Sequence, residues 1–131
     1  MMISKMLLGV AALVLLGAPA FADDMPGGIK TMTIDGKNVL TDAKGMTLYT
    51  FDQDKAGVTN CYDKCATAWP PVVASADAKA SGDFTLVKRK DGSMMWAYYG
   101  MPLYTWIKDK KPGDVTGDMV GNVWHTAIDK D

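Results

Sequence analysis

The sequence predicts an all-β domain of two pseudo-repeated antiparallel three-stranded meanders, packed as a small sandwich or barrel with irregular loops and one local disulfide. Three observations predict this fold. The stretch 45–55 returns as the stretch 100–110 with most positions unchanged. Short runs rich in β-branched and aromatic residues alternate with Gly- and Asp-containing turns. Two cysteines, Cys61 and Cys65, lie close enough in the chain to staple a single turn.

Residues 1–22 are typical of a cleaved secretory signal peptide. Lys5 precedes the apolar run Met6–Leu16, and the stretch 20–22 is a small-x-small cleavage site. The run is well short of the roughly 20 residues that span a bilayer, so we favour cleavage over an uncleaved anchor. We therefore expect residues 23–131 to be a single periplasmic or secreted domain. No cysteine adjoins the cleavage site, so we expect no lipid anchor, and we expect no transmembrane segment after cleavage.

The first repeat, about residues 29–74, begins with three predicted strands. The first is Ile29–Ile34, which alternates weakly and is followed by an Asp-Gly turn. The second is Val39–Thr41, and the third is Met46–Phe51. An irregular acidic loop then leads to Trp69.

The second repeat, about residues 84–127, has the same order of features. Its predicted strands are Phe84–Lys88, Met94–Tyr98 and Met101–Trp106, and the Asp-Gly pair between the first two is a strong hairpin signal. The stretch Ser75–Gly82 joins the repeats as a short helix or a plain linker. A half of this size would be marginally stable alone, so the duplication supplies a partner for an otherwise exposed apolar face.

Each repeat carries a motif of the form Tyr-x-aromatic-x-x-Asp. The tyrosine and the aromatic residue are two positions apart, so they lie on one face of a strand. The aspartate follows a turn, and we expect it to cap backbone N–H groups of its loop, a bond from a tyrosine hydroxyl being the other possibility. Either role is structural. The motif residues are Tyr49, Phe51 and Asp54 in the first copy and Tyr104, Trp106 and Asp109 in the second.

This tandem Y-x4-D pattern resembles the secreted-repeat family of lipoprotein-like proteins, whose function is unknown. The segments 61–66 (Cys-x-x-x-Cys-Ala), 69–71 (Trp-Pro-Pro) and 124–125 (Trp-His) also look like that family. The resemblance covers about residues 29–127. Because the function of the family is unknown, the resemblance assigns no catalytic residue to this chain. Many members look like lipoproteins, whereas this chain lacks the cysteine that lipidation requires.

The composition and the motifs exclude several classes of function. The net charge is −1, with acidic and basic residues mixed along the chain, which makes nucleic acid a poor partner. The only histidine, His125, has no neighbouring nucleophile, and no phosphate loop or zinc-protease motif is present. We therefore expect that the protein is not an enzyme, a hydrolase that uses two of the scattered carboxylates being the weaker alternative.

Two sets of side chains are conditional metal ligands. Thioethers and the imidazole suit copper(I), and carboxylates on a loop suit calcium. Methionine fills irregular cores well and polar loops are usually solvated, so structural roles are favoured for both sets. The copper candidates are Met94, Met95, Met101 and His125, and the calcium candidates are Asp109, Asp114 and Asp118.

These observations predict an exported, non-catalytic cell-envelope or periplasmic module without a cofactor, with a structural or binding role toward an unknown envelope component. The alternative is a periplasmic metal-binding protein, for copper or calcium, or a thiol-redox protein that uses Cys61 and Cys65. The pattern leaves open whether the tryptophans Trp69, Trp96, Trp106 and Trp124 form a core or a binding face.

Overall fold

The structure, a computed structural model, describes residues 25–131. The predicted signal peptide lies outside the described residues. Within them, no helix combines the length and the apolar character that crossing a membrane would require.

The first repeat opens with a hairpin of β1 (Lys30–Ile34) and β2 (Lys37–Thr41). Its two-residue turn has Asp35 at φ 50° and Gly36 at φ 79°, which is the mirror-image turn that matches the twist of antiparallel strands. The third strand, β3 (Tyr49–Phe51), is shorter than the predicted Met46–Phe51.

The chain before β3 still runs beside β2, as a meander requires. Thr47 forms a β-bridge with Thr41, and the Leu48 N–H donates to the Leu40 carbonyl at 2.9 Å. A short helix, α1 (Lys64–Ala68), then precedes β4 (Val73–Ala74). The sequence predicted an irregular loop where α1 lies.

The second repeat repeats this arrangement with β5 (Phe84–Lys88), β6 (Met94–Tyr98) and β7 (Met101–Pro102). β5 and β7 both pair antiparallel with β6. The strand predicted over Met101–Trp106 ends early because Tyr104 forms β-bridges with Tyr49 and Pro71 of the first repeat instead of with β6. The connecting stretch Ser75–Gly82 contains turns and no helix.

The last strand of each repeat pairs with the other repeat. β8 (Trp124–Thr126), from the second repeat, lies antiparallel to β3 of the first. β4, from the first repeat, lies antiparallel to β6 of the second. Each half therefore completes the sheet of the other half.

Two apolar clusters fill the interior, and both draw residues from both repeats. Leu40, Leu48 and Trp96 belong to the first cluster, and Trp69 and Trp124 belong to the second. The described strands form sheets of two, two and four strands, which do not close into a barrel. The prediction of an all-β domain with two repeats and one local disulfide is confirmed. The predicted alternative of a closed barrel is not formed, because the strands are too short to make one continuous sheet.

Candidate functional site

The two motif copies hold each other together across the centre of the molecule. The Tyr49 hydroxyl donates to Asp109 Oδ2 at 2.7 Å, and the Tyr104 hydroxyl donates to Asp54 Oδ2 at 2.5 Å. The backbones of the two tyrosines also pair, at 2.7 and 3.0 Å. Both tyrosine side chains are fully buried. We call these four residues the Tyr–Asp clasp.

The second oxygen of each aspartate caps a loop. Asp54 Oδ1 accepts the Asn60 N–H at 2.6 Å. Asp109 Oδ1 accepts the Thr116 N–H at 3.0 Å and the Thr116 hydroxyl at 2.6 Å. The sequence left two possible roles for each aspartate: capping its loop, or accepting a hydrogen bond from a tyrosine hydroxyl. Both are present, because a carboxylate offers two acceptor oxygens.

Burial controls the ionisation of the clasp. Desolvation, reinforced by the neighbouring aspartate, raises the pKa of Tyr49 and of Tyr104 far above the ordinary value of 10. Desolvation also raises the pKa of Asp54, although the bonds from Tyr104 and Asn60 and the nearby Arg89 charge act in the opposite direction. The phenols therefore stay protonated and keep donating at any pH at which the protein is ordinarily studied.

Arg89 makes one half of the clasp different from the other. It is 8% exposed, and its Nη2 donates to the Cys61 carbonyl at 2.9 Å. Its Nη1 lies 3.5 Å from Thr59 Oγ1, which lies 2.6 Å from the Tyr104 hydroxyl. Because Tyr104 donates to Asp54, Thr59 must donate to Tyr104. An oriented chain of hydrogen bonds therefore runs from Arg89 to the Asp54 carboxylate.

The sequence reasoning missed Arg89. One signal was available, because Arg89 is the only arginine among many lysines. Arginine presents a planar fork of donors that suits buried polar networks, and it is not interchangeable with lysine. In the other half, the Gly117 N–H donates to the Tyr49 hydroxyl at 3.1 Å, in the role that Thr59 has beside Tyr104.

Four stacked rings form a column through the second apolar cluster. In order they are Phe51, Trp124, Trp69 and Trp106, with centroid separations of 4.2, 3.8 and 3.9 Å. Successive rings come alternately from the first and the second repeat. The ring planes of the central pair are parallel within 2°. We call these four rings the aromatic column.

The clasp tyrosines touch the column edge-on. The Tyr49 ring lies 5.3 Å from Trp69, and the Tyr104 ring lies 5.2 Å from Trp124. Trp69 and Trp124 are 4% and 5% exposed, so they belong to the core. Trp106 is partly exposed and ends the column at the surface.

The predicted cysteine pair is bonded. Cys61 and Cys65 form a disulfide with their Cα atoms 5.2 Å apart, and no free cysteine occurs in the described part of the chain. Cys61 is buried among the aromatic rings, whereas Cys65 lies on α1 and is partly exposed.

The structure does not bring the copper candidates together. Met94 and Met95 are consecutive in β6, so their side chains enter the first and the second cluster respectively. Met101 lies in β7 opposite Tyr98. His125 lies in β8, where its Nε2 is 2.8 Å from Asp52 Oδ2.

The calcium candidates each bond to their own surroundings. Asp109 belongs to the clasp. Asp114 accepts the Lys110 N–H at 2.8 Å and the Lys111 ammonium at 3.0 Å, and Asp118 accepts a backbone N–H of β8. In residues 25–131, no group of three or more His, Cys, Asp or Glu side chains is placed to hold a metal ion.

Comparison with known sequences identifies one family. Residues 30–73 and residues 85–128 each match the sequence model of a family described as a secreted repeat of unknown function. No curated protein and no solved structure gives a significant match. The two matched stretches together cover more than half of the chain, and the resemblance drawn from the tandem motif is confirmed.

Proposed function

Because the chain belongs to the family of secreted repeats of unknown function, we propose that it is an exported, non-catalytic module that binds or supports a component of the cell envelope. The observation that carries this proposal is the Tyr–Asp clasp. A catalytic acid or base must come within hydrogen-bond reach of a substrate. The tyrosines and aspartates of the motif are instead buried and bonded to each other and to their own loops.

We place the module in the periplasm or outside the cell. Two observations support this location: the description of the family as secreted, and the Cys61–Cys65 disulfide. Disulfides persist in oxidising compartments and are rare in the cytosol.

The second candidate function is thiol redox chemistry or metal binding. The observation that favours thiol chemistry is the partial exposure of Cys65, because exchange requires that a thiolate reach a disulfide sulfur. For copper, the partly exposed imidazole of His125 beside Asp52 is the favouring feature. For calcium, no group of three or more carboxylates in the described part of the chain supports the proposal.

The intact mass of the exported protein separates the two candidates. Under denaturing conditions, a mass lower by two hydrogens reports a closed disulfide, and under native conditions the mass reports any retained ion. An oxidised chain without an ion supports the non-catalytic module. A reduced chain, or a chain that retains copper or calcium after desalting, would favour the second candidate.

Photo-cross-linking tests the binding role directly. Val73 is 63% exposed and Ile107 is 52% exposed, so both are among the large apolar side chains that solvent reaches most. A photoreactive residue at either position should capture an envelope component in intact cells. The control is the same residue at Lys79, an exposed polar position. Capture at neither Val73 nor Ile107, or equal capture at the Lys79 control, would contradict the binding role.

A further inference from the structure

We propose that the aromatic column conducts an electron vacancy from Trp106 at the surface to the buried tyrosines Tyr49 and Tyr104. The protein would thereby accept single oxidising equivalents from one-electron oxidants such as peroxyl radicals. The proposal rests on the stacking of the column, the position of its outer ring and the hydrogen bonds of the two tyrosines. It goes beyond the proposed binding role and does not depend on it.

Trp106 is the entry point because of its exposure. It is the partly exposed ring of the column, whereas Trp69, Trp124 and Phe51 are buried. An oxidant in solvent therefore meets Trp106 first. The Lys108 ammonium lies 5.9 Å from the Trp106 ring centroid, at this exposed end of the column.

The column provides the path inward. The indole rings of Trp106, Trp69 and Trp124 lie face to face at 3.9 and 3.8 Å, in van der Waals contact. Indole is among the side chains most easily oxidised by one electron, and overlapping π systems exchange electrons readily. Phe51 is far harder to oxidise, so the conducting part of the column ends at Trp124.

Each inner indole touches a tyrosine that can hold the vacancy. Loss of an electron makes a phenol strongly acidic, so a tyrosine traps a vacancy well only when a base accepts its proton. Tyr49 has Asp109 Oδ2 at 2.7 Å, and Tyr104 has Asp54 Oδ2 at 2.5 Å. Burial raises the pKa of Asp54, which makes its carboxylate a stronger base.

One oxidation moves one electron and one proton. A peroxyl radical takes one electron from Trp106 and one proton from water, and becomes a hydroperoxide. Trp69 then reduces Trp106, and Tyr49 reduces Trp69 while its phenol proton moves to Asp109. The products are the hydroperoxide, a hydroxide ion from the water, a neutral Tyr49 radical and a protonated Asp109, with the indoles restored. Tyr104, Trp124 and Asp54 provide the equivalent second branch.

The remaining tryptophan is a matched control. Trp96 is 3% exposed and lies in the first apolar cluster, where it stacks on none of the column rings. A substitution of Trp96 therefore removes one indole without breaking the path. Tyr99 and Tyr62, which solvent reaches directly, are replaced by phenylalanine in every sample so that their own oxidation does not contribute.

The test uses photogenerated ruthenium(III) tris-bipyridine as the one-electron oxidant, with transient absorption and electron paramagnetic resonance as readouts. We expect a tryptophan radical that converts into a tyrosine radical, with the conversion slowed in deuterium oxide because a proton moves in that step. Trp106→Phe should lose the tyrosine radical, and Trp96→Phe should retain it. Near-ultraviolet circular dichroism checks that each variant is folded.

The double variant Tyr49→Phe/Tyr104→Phe provides an independent arm. It should form the tryptophan radical and fail to convert it. If this double variant does not fold, the two single variants should each lose part of the tyrosine radical. A tyrosine radical that survives Trp106→Phe, or a tryptophan radical that never converts in the parent protein, would overturn the proposal.

Discussion

The hydroxyl of Tyr49 donates to Asp109 across the boundary between the two repeats, at 2.7 Å. The reciprocal bond joins the other tyrosine to the other aspartate. Neither repeat can therefore satisfy its own motif alone. A repeat by itself would bury polar groups without partners, which is destabilising. The repeats therefore form one cooperative unit, and the exchange of their last strands has the same effect.

Tyr49→Phe and Tyr104→Phe should each lower the free energy of unfolding by about 1–3 kcal/mol, because each leaves a buried carboxylate oxygen without its donor. Urea denaturation measures the change. The control is Tyr99→Phe, which removes a hydroxyl from a side chain that is 44% exposed and should leave the midpoint unchanged. Equal midpoints for all three variants would contradict a structural role of the clasp.

Arg89→Met should destabilise the protein by about 1.5–3 kcal/mol, the range for hydrogen bonds to a charged group. The substitution removes the donor to the Cys61 carbonyl and should raise the pKa of Asp54 further, because the Arg89 charge lowers it. Denaturation and carboxyl carbon NMR titration measure the two effects. Lys90→Met is the control, since the Lys90 ammonium contacts the same Tyr62 ring from an exposed position. An Asp54 pKa that is identical in the two variants would contradict the effect of the Arg89 charge on Asp54.

Alkaline pH should unfold the protein cooperatively. Burial raises the pKa of Tyr98 to about 12, and it raises those of Tyr49 and Tyr104 further. The folded state then binds more protons than the unfolded state above pH 10, so this stability is fully present below pH 10 and is lost as pH rises through the folded pKa values. Phenolate absorbance and far-ultraviolet circular dichroism should change together. Ionisation of every tyrosine with unchanged dichroism would contradict the prediction.

Gly117→Ala should disturb the column. A Cβ at this position would lie 2.8 Å from Trp69 Cη2 and 2.9 Å from Trp106 Cγ, closer than side-chain carbons approach. We expect overpacking to lower the free energy of unfolding by about 1–3 kcal/mol and to change the near-ultraviolet circular dichroism of the indoles. Gly82→Ala is the comparison, because Gly82 has φ +59° with nothing within 4 Å. Its backbone strain should lower stability without altering the indole signal.

Reduction of the Cys61–Cys65 disulfide should lower the free energy of unfolding by about 2 kcal/mol, the value that the loop-entropy model gives for so short a loop. The closed loop contains the start of α1, so the helix should fray while the strands keep their dichroism. Urea midpoints with and without a dithiol measure the change. The double variant Cys61→Ala/Cys65→Ala should not respond to the dithiol. Complete unfolding on reduction would show that the disulfide holds more than a local turn.

Much of the fold was predictable because its signals are local. Asp35-Gly36 and Asp91-Gly92 mark hairpins by turn chemistry, and the duplicated line marks the third strand of each meander. Helix α1 was missed because a single turn of helix gives no period to detect. The copper and calcium candidates were grouped by residue type. Strand alternation, which separates Met94 from Met95, and loop capping distribute them through the structure.

The sequence by itself determined the class of fold, the two repeats, the cysteine pair and the positions of the motif residues. Only the tertiary structure decided that Tyr49 meets Asp109 instead of Asp54, that Arg89 is buried, and that the indoles stack. The two motif copies are chemically equivalent, so no local pattern distinguishes pairing within a repeat from pairing between repeats. Strand exchange between distant segments decides that choice, because it buries both apolar faces and satisfies every clasp group at once.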